Sequence, residues 1–217
     1  MSKMIDITME ITEDIVVWPG SDPVKITQSD SIENGAVAND SSILMGMHTG
    51  THVDAPLHFI RDGKSTAAVA LDKFFGKAKV FCFDTDQNIG RAQLQRLDIR
   101  EGDMILLNIA KNNLLLSDHV FREDYISLDA DGAEYLVEKK IRAVGINYFS
   151  IEAYRALPGN PVHTCLLKNE VAILEALKLE GVEQGEYIFI GLPLKFKNGN
   201  GSPVRAVLIE DEKGKRI

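Results

Sequence analysis

The run His48-Thr49-Gly50-Thr51-His52-Val53-Asp54-Ala55-Pro56-Leu57-His58 decides how the rest of this chain is read. Three of the chain's five histidines fall within it, together with an aspartate. Neutral imidazole and carboxylate are the N and O ligands that zinc, manganese and iron accept. A lone histidine is ordinarily a surface or hydrogen-bonded structural residue, and each of these has that reading open to it. Three with a carboxylate in so short a window, without tag-like repetition, point instead to a metal centre with a spare histidine beside it.

Backbone chemistry narrows the shape of this stretch. A helix would put His48 and His52 on one face, as in H-E-x-x-H metalloproteases. The intervening Thr-Gly-Thr and the following Pro56 disfavour a helix through the whole segment. In an extended strand His48, His52, Asp54 and His58 share parity and face one side. At about 3.3 Å per residue, however, the outer ligands would stand roughly 20 Å apart. A metal needs ligand atoms about 2.0 to 2.2 Å away. The chain must therefore bend, and Gly50 and the Asp-Ala-Pro step are where it can. The expectation is a strand end entering a tight loop, with room for a short helix after Asp54.

The totals set limits. A chain of 217 residues, 45% hydrophobic and 26% charged, has the composition of a globular protein with one substantial core or two small ones. Its net charge of −8 argues against a nucleic-acid surface and against attraction to anionic membranes. Cys82 and Cys165 are far apart and no long apolar run or signal-like segment is present, so a reduced, cytoplasmic protein is expected. With no repeat, linker or low-complexity tract, residues 1–217 are expected to form a single domain.

Outward from the motif, Met4–Ile11 alternates as a strand, and Trp18-Pro19-Gly20 makes a rigid turn. Trp18 has two even readings, a cap on the core or an aromatic wall for a flat substrate. Strands are predicted over Val24–Ser29 and Ser42–Met47, the second delivering the motif. Further strands are predicted over Lys79–Asp84, Asp103–Ile109, Arg142–Asn147, Glu186–Leu194 and Val204–Glu210. Cys82, mid-strand, reads as a core residue, and His119 as an exposed one. Helical spacing covers Ser127–Lys140 and a second segment from about Glu170 to Leu179. In that second helix Glu175 sits among apolar residues, so it lies on a wet edge or is coordinated. Strand, helix, strand in succession implies an α/β fold. The glycine-rich turn Asn198–Pro203 lacks a phosphate loop's Gly-Lys-Ser/Thr ending, and no Gly-x-Ser-x-Gly elbow of a serine hydrolase is present.

The motif from His48 to His58 resembles the signature of the cyclase-like metal-dependent hydrolases, the family of bacterial kynurenine formamidase and isatin hydrolase. Trp18-Pro19-Gly20, His163 with Leu166-Leu167 and Glu175, Leu192-Pro193-Leu194 and Gly201–Ala206 are similar to further family segments. The resemblance implies a compact α/β domain of the swivelling β/β/α type with a mixed central sheet, assembled as homodimers or tetramers. It implies two zinc ions, with manganese or iron as alternatives. His48, His52 and Asp54 would hold the first, and Asp54 would bridge to a second completed by His163 and Glu175. His58 would be the acid/base residue, and Trp18 would line the substrate pocket.

The implied activity is hydrolysis of a small amide by metal-activated water, with an arylformamidase acting on N-formylkynurenine as the leading reading. An isatin-like cyclic-amide hydrolase and a non-catalytic metal-binding protein are the rivals. The chain departs from the family where it reads Gly145-Ile146-Asn147, Ser150-Ile151-Glu152 and Asn108–Lys111. None of these touches an implied ligand. They bear on contacts around the ligands or on the substrate.

Overall fold

The computed structural model describes residues 3–155 and 158–210. In chain order the strands among them are β1 (Met4–Asp6), β2 (Lys25–Asp30), β3 (Asp40–Leu44), β4 (His52–Asp54), β5 (Phe75–Phe83) and β6 (Met104–Ile109), then β7 (Ala143–Ile146), β8 (Ala172–Glu175), β9 (Gly185–Ile190), β10 (Gly201–Pro203) and β11 (Val207–Ile209). The α-helices are α1 (Arg91–Leu94), α2 (Ala110–Leu116), α3 (Ala130–Glu138) and α4 (Pro161–Lys168). Nine strands form one mixed sheet in the order β1-β11-β9-β5-β6-β7-β8-β4-β10, while β2 and β3 pair only with each other. The centre, β5-β6-β7-β8, is parallel, and the strands on either side of it run antiparallel. This is the α/β fold that the chain pattern implies, with the mixed central sheet that the family resemblance implies.

The period-2 alternation of strand side chains divides the core in two. Ile105, Leu107, Val144, Ile146 and Ile173 project to one face, against Ala133 and Leu136 of α3 and Val162 and Leu166 of α4. Met104, Leu106, Val80, Leu174 and Phe189 project to the other, against Ile7, Leu177, Leu179, Val204 and Leu208. Among the described residues no α-helix packs on the second face, and the curled sheet closes there on its own edge strands and loops. The inner parallel strands β6, β7 and β8 are buried along their length and mostly apolar, as buried parallel strands generally are, with Asn108 and Glu175 as polar exceptions.

Several expectations are corrected. The segment Glu170–Leu179 is not a helix: it crosses the sheet as β8, and the helix lies earlier, at Pro161–Lys168. A short apolar run has no periodicity that separates a buried strand from a buried helix, and Pro161 at the first helical position is what opens α4. Ser42–Met47 does not deliver the motif, because β3 ends at Leu44 in its own hairpin and β4 begins inside the motif at His52. The first strand stops at Asp6. Cys82 is exposed, not core: β9 pairs with β5 only as far as Val80, so the end of β5 runs past its neighbour. The Asn198–Pro203 turn yields its second half to the edge strand β10. His119 is exposed, as expected.

Gly63 shows how closely the motif's far end is held. A Cβ there would stand 2.5 Å from the carbonyl carbon of Pro56 and 2.6 Å from the amide nitrogen of Leu57. Backbone cannot yield as a side-chain tip can, so Gly63→Ala is expected to cost about 1–3 kcal/mol of stability and to push the 56–58 turn outward. Urea unfolding checks this, and an unchanged midpoint would show that the turn gives way freely.

Candidate metal centre

Local sequence explains how four segments converge. Gly46–Gly50 turns back, with the Thr49 amide donating to the Gly46 carbonyl at 3.2 Å. Gly50 takes φ 61°, and a Cβ there would lie 2.7 Å from Ile11 Cδ1. Conformation and space both demand glycine. The chain then enters β4, which is buried and lies between β8 and β10. His52 and Asp54, two apart, share a face, and the antiparallel register sets His52 directly opposite Glu175. Pro56–His58 forms a 3-10 turn that returns His58 towards His48. His163 comes from the first turn of α4, beneath this face.

Three imidazoles are each held by one ring nitrogen; His52 and His163 offer the other to both Asp54 and Glu175, and His48 offers its other to Asp54. His52 Nδ1–H donates to the Gly50 carbonyl at 2.8 Å, leaving Nε2 3.2 Å from Glu175 and 3.6 Å from Asp54. His163 Nδ1 meets Glu152 at 2.7 Å, and its Nε2 lies 3.2 Å from Glu175 and 3.7 Å from Asp54. His48 Nε2 meets Asn200 at 3.1 Å, and its Nδ1 lies 2.8 Å from Asp54. Gly201 makes room for this last ring, since a Cβ there would stand 2.5 Å from His48 Cε1. Anchoring one nitrogen so that the other presents its lone pair is how proteins orient metal-binding histidines.

The electrostatics fit a cation. Burial favours neutral Asp54, yet His48, His58 and His52 outweigh it and hold the carboxyl well below the usual range. Glu175 is also lowered, as His163 and His52 overcome burial and the repulsion of Asp54. Burial opposes charge on His163 as well, but its hydrogen bonds to Glu152 and Glu175 raise it to about 10. His52 is raised in the same way, chiefly by Glu175. A protonated His163 thus offsets carboxylate charge in the metal-free chain, and His52 is biased the same way. His52 Nε2 and Asp54 Oδ2 are nevertheless buried without a hydrogen bond, since the close approach of Glu175 to His52 is poorly aligned. Among the described residues, ligand atoms of His52, Asp54 and Glu175 lie within 4.8 Å of one another, as do those of His48, Asp54 and His58. Imidazole and carboxylate donors at this spacing, with orphaned inward atoms, suit a divalent zinc, manganese or iron ion.

Above the cluster opens a cavity of about 300 Å³. His58 stands at its solvent edge, stacked on His48 with ring centroids 3.9 Å apart. Burial against the pocket wall, with His48 beside it, pushes His58 down to about 4 despite the pull of Asp54. Water reaches part of the ring, and His58 is neutral at pH 7. Trp18 stands at the cavity wall and is packed by aromatic neighbours, edge-on against Phe121 at 5.2 Å and against Tyr154 at 5.3 Å.

Sequence reasoning overlooked Glu152, which enters only as a family departure. Its carboxylate accepts from the Val162 amide at 3.0 Å and from His163 Nδ1 at 2.7 Å, so it caps α4 and orients the ring together. Phe59, which stacks on His163 at 4.5 Å, and the wall residues Phe149 and Tyr154 carry no signal in the chain pattern. The other departures lie away from the pocket. Asn147 accepts from the Ile109 amide at 3.1 Å and donates to Asn113 at 2.7 Å. Asn113 donates to Asn108 at 2.8 Å, and Asn108 donates to the Leu179 and Val182 carbonyls at 2.9 and 2.8 Å. These asparagines tie the ends of β6 and β7 to α2 and a loop.

Comparison with known proteins agrees with this geometry. A family model described as putative cyclase matches residues 5–153. Kynurenine formamidase of Bacillus mycoides (strain KBAB4) is 34% identical over 209 residues, spanning 95% of this chain and 97% of the relative. A solved structure described as a potential metal-dependent hydrolase with cyclase activity superposes with a TM-score of 0.84 at 33% identity, covering 98% of this chain and 100% of the other. Isatin hydrolase A from Ralstonia solanacearum shares the fold, with a TM-score of 0.83 at 24% identity over 97% of this chain and 92% of the other.

A metal-bound imidazole is neutral, so an ion held by His163 would expel its proton. Calorimetric titration with Zn²⁺ at pH 8, in buffers of different ionisation enthalpy, is expected to report proton release on loading. A heat independent of buffer would contradict the protonated ring. Stability follows the same linkage. His163 rises from about 6.5 unfolded to about 10 folded. Its contribution to the metal-free chain is therefore complete below pH 6.5 and lost as pH climbs through 10. Thermal melts of the chelated protein between these limits should fall, and a flat profile would exclude the effect.

Proposed function

This chain belongs to the putative cyclase family, and from that membership we propose that it is a metal-dependent amide hydrolase acting on a small aryl formamide, N-formylkynurenine first among them. The observation that carries this reading is the set of three imidazoles, each tethered by one nitrogen, converging on Asp54 and Glu175 at the floor of an aromatic-walled cavity. The kynurenine formamidase name of the Bacillus relative, which matches nearly the whole chain, supports the choice of substrate.

In this proposal His48, His52 and Asp54 hold one ion, and Asp54, His163 and Glu175 hold a second. Zinc is the expected metal, with manganese or iron as alternatives. A divalent ion there would lower the pKa of water from about 15.7 towards 7 and polarise the formyl carbonyl. His58, neutral at pH 7, accepts the proton of the attacking water and passes it to the departing aryl amine nitrogen. Bond cleavage then gives formate and an aryl amine. Trp18, Phe149 and Tyr154 face the aryl ring and keep bulk water from it. Glu152 holds His163 in the tautomer that keeps Nε2 towards the carboxylates.

We further propose a single domain over residues 1–217, a cytoplasmic location and homo-oligomeric assembly. Among the described residues no helix is long and apolar enough to cross a membrane.

Purified protein loaded with Zn²⁺ or Mn²⁺ is expected to hydrolyse N-formylkynurenine and to lose that activity on chelation. Turnover of isatin with none of the formamide would reverse the substrate assignment, and turnover of neither would leave a metal-binding protein without catalysis. His58→Ala should cut kcat by a factor of about 10² or more while bound metal stays constant. Metal lost together with activity would make His58 a ligand, a role its proximity to His48 and Asp54 permits. Glu175→Ala should lower the metal stoichiometry in elemental analysis, and an unchanged ratio would remove Glu175 from the ligand set.

A further inference from the structure

A second cavity, of about 260 Å³, opens between the segment from Met9 to Val16, the end of α2 and the residues that follow β8. None of the groups assigned to the metal centre lines it. Half-buried Met9, Val16 and Leu116 give it an apolar surface. These three pack on the same cluster as Trp18 and Tyr154, so one apolar cluster serves both cavities.

The rest of the lining carries charge of both signs. Lys178 supplies the cation and Glu10 and Glu180 the anions, all three exposed at the rim. Among the described residues none of the three makes an ion pair or a side-chain hydrogen bond. Solvated charges are ordinary on a flat surface. Here both signs border one apolar hollow, and a few polar groups around an apolar lining are what orients a small ligand. The walls are also fixed in place. The Met9 amide donates to Thr51 Oγ1 at 2.9 Å, and the Lys178 amide donates to the Ile7 carbonyl at 2.9 Å. On the α2 side, Asn113 donates to Asn108 at 2.8 Å. Tethered walls spare a ligand much of the cost of ordering its site.

We propose that this cavity binds a free α-amino acid with an apolar side chain. The ligand's carboxylate meets Lys178, with His119 as a further hydrogen-bond donor, and its ammonium meets Glu10 and Glu180. Its side chain lies on Met9, Val16 and Leu116. A ligand with one charge would leave half of the rim unanswered. Drug-sized ligands take pockets of roughly 300–1,000 Å³, so a cavity just below that range suits a molecule as small as an amino acid. The inference is independent of the hydrolase reading, because no metal-centre residue takes part.

Calorimetric titration of the zinc-loaded full chain with L-leucine and with L-phenylalanine tests it. One amino acid per chain is expected, with a dissociation constant in the micromolar to millimolar range. Phenethylamine and 3-phenylpropionate, each lacking one of the charges, should bind roughly tenfold more weakly than phenylalanine. Lys178→Glu should weaken phenylalanine by a similar factor, as should Glu10→Gln with Glu180→Gln, with circular dichroism and zinc content unchanged. An amino acid can also chelate zinc, so the titration is repeated on the chelator-treated chain, where binding should persist. No binding of either amino acid to wild type would overturn the inference. So would binding that disappears with the zinc, binding indifferent to the three rim charges, or equal affinity for phenylalanine and 3-phenylpropionate.

Discussion

The pairing of β4 with β8 is the constraint on which the centre depends. It places His52 opposite Glu175 and keeps Asp54 on the same face two residues along. A slip of one residue would turn this whole set to the other side of the sheet. The slip is blocked on both flanks, because β10 pairs with β4 from one edge and the parallel strands hold β8 from the other. Val53 and Leu174, facing each other in the same register, bury their side chains in the core and anchor the pairing with apolar contact. The hydrophobic packing of one face thus fixes the chemistry of the other.

On this frame the ligands cost the fold charge that only a cation or bound protons can offset. Two ionised carboxylates in a buried site would be costly alone. In the metal-free chain His163 answers them by holding a proton and His52 is biased towards doing so, while His58 at the solvent edge stays neutral. The difference between these rings comes from their partners. Glu152 and Glu175 flank His163, whereas His58 faces another imidazole across a stack. The proton affinity of these rings is therefore set by environment, not by residue type.

Much of this was legible in the chain. The motif's residue types announce a metal, and the bend at Gly50 follows from the distance that ligands must close. The strands at Lys79–Asp84, Asp103–Ile109 and Arg142–Asn147, and the helix within Ser127–Lys140, follow from period and punctuation. The strand carrying Glu175 has a helical reading in the sequence because its other three residues are buried and apolar, with no polar face to betray their period. Glu152 escaped because its role comes from α4 starting beside it, a tertiary fact. Asn147 and Asn108 looked like specificity changes and prove to be a buried hydrogen-bond tie, since only coordinates say which way a strand-end side chain faces.

The central claim is that tethered imidazoles and two carboxylates bind a divalent ion at this floor. Anomalous diffraction from crystals grown with Zn²⁺, collected on both sides of the zinc edge, tests it most directly. The account predicts a peak about 2.0–2.2 Å from His52 Nε2 and an Asp54 oxygen. No peak among these side chains, or one coordinated only by surface residues, would contradict it.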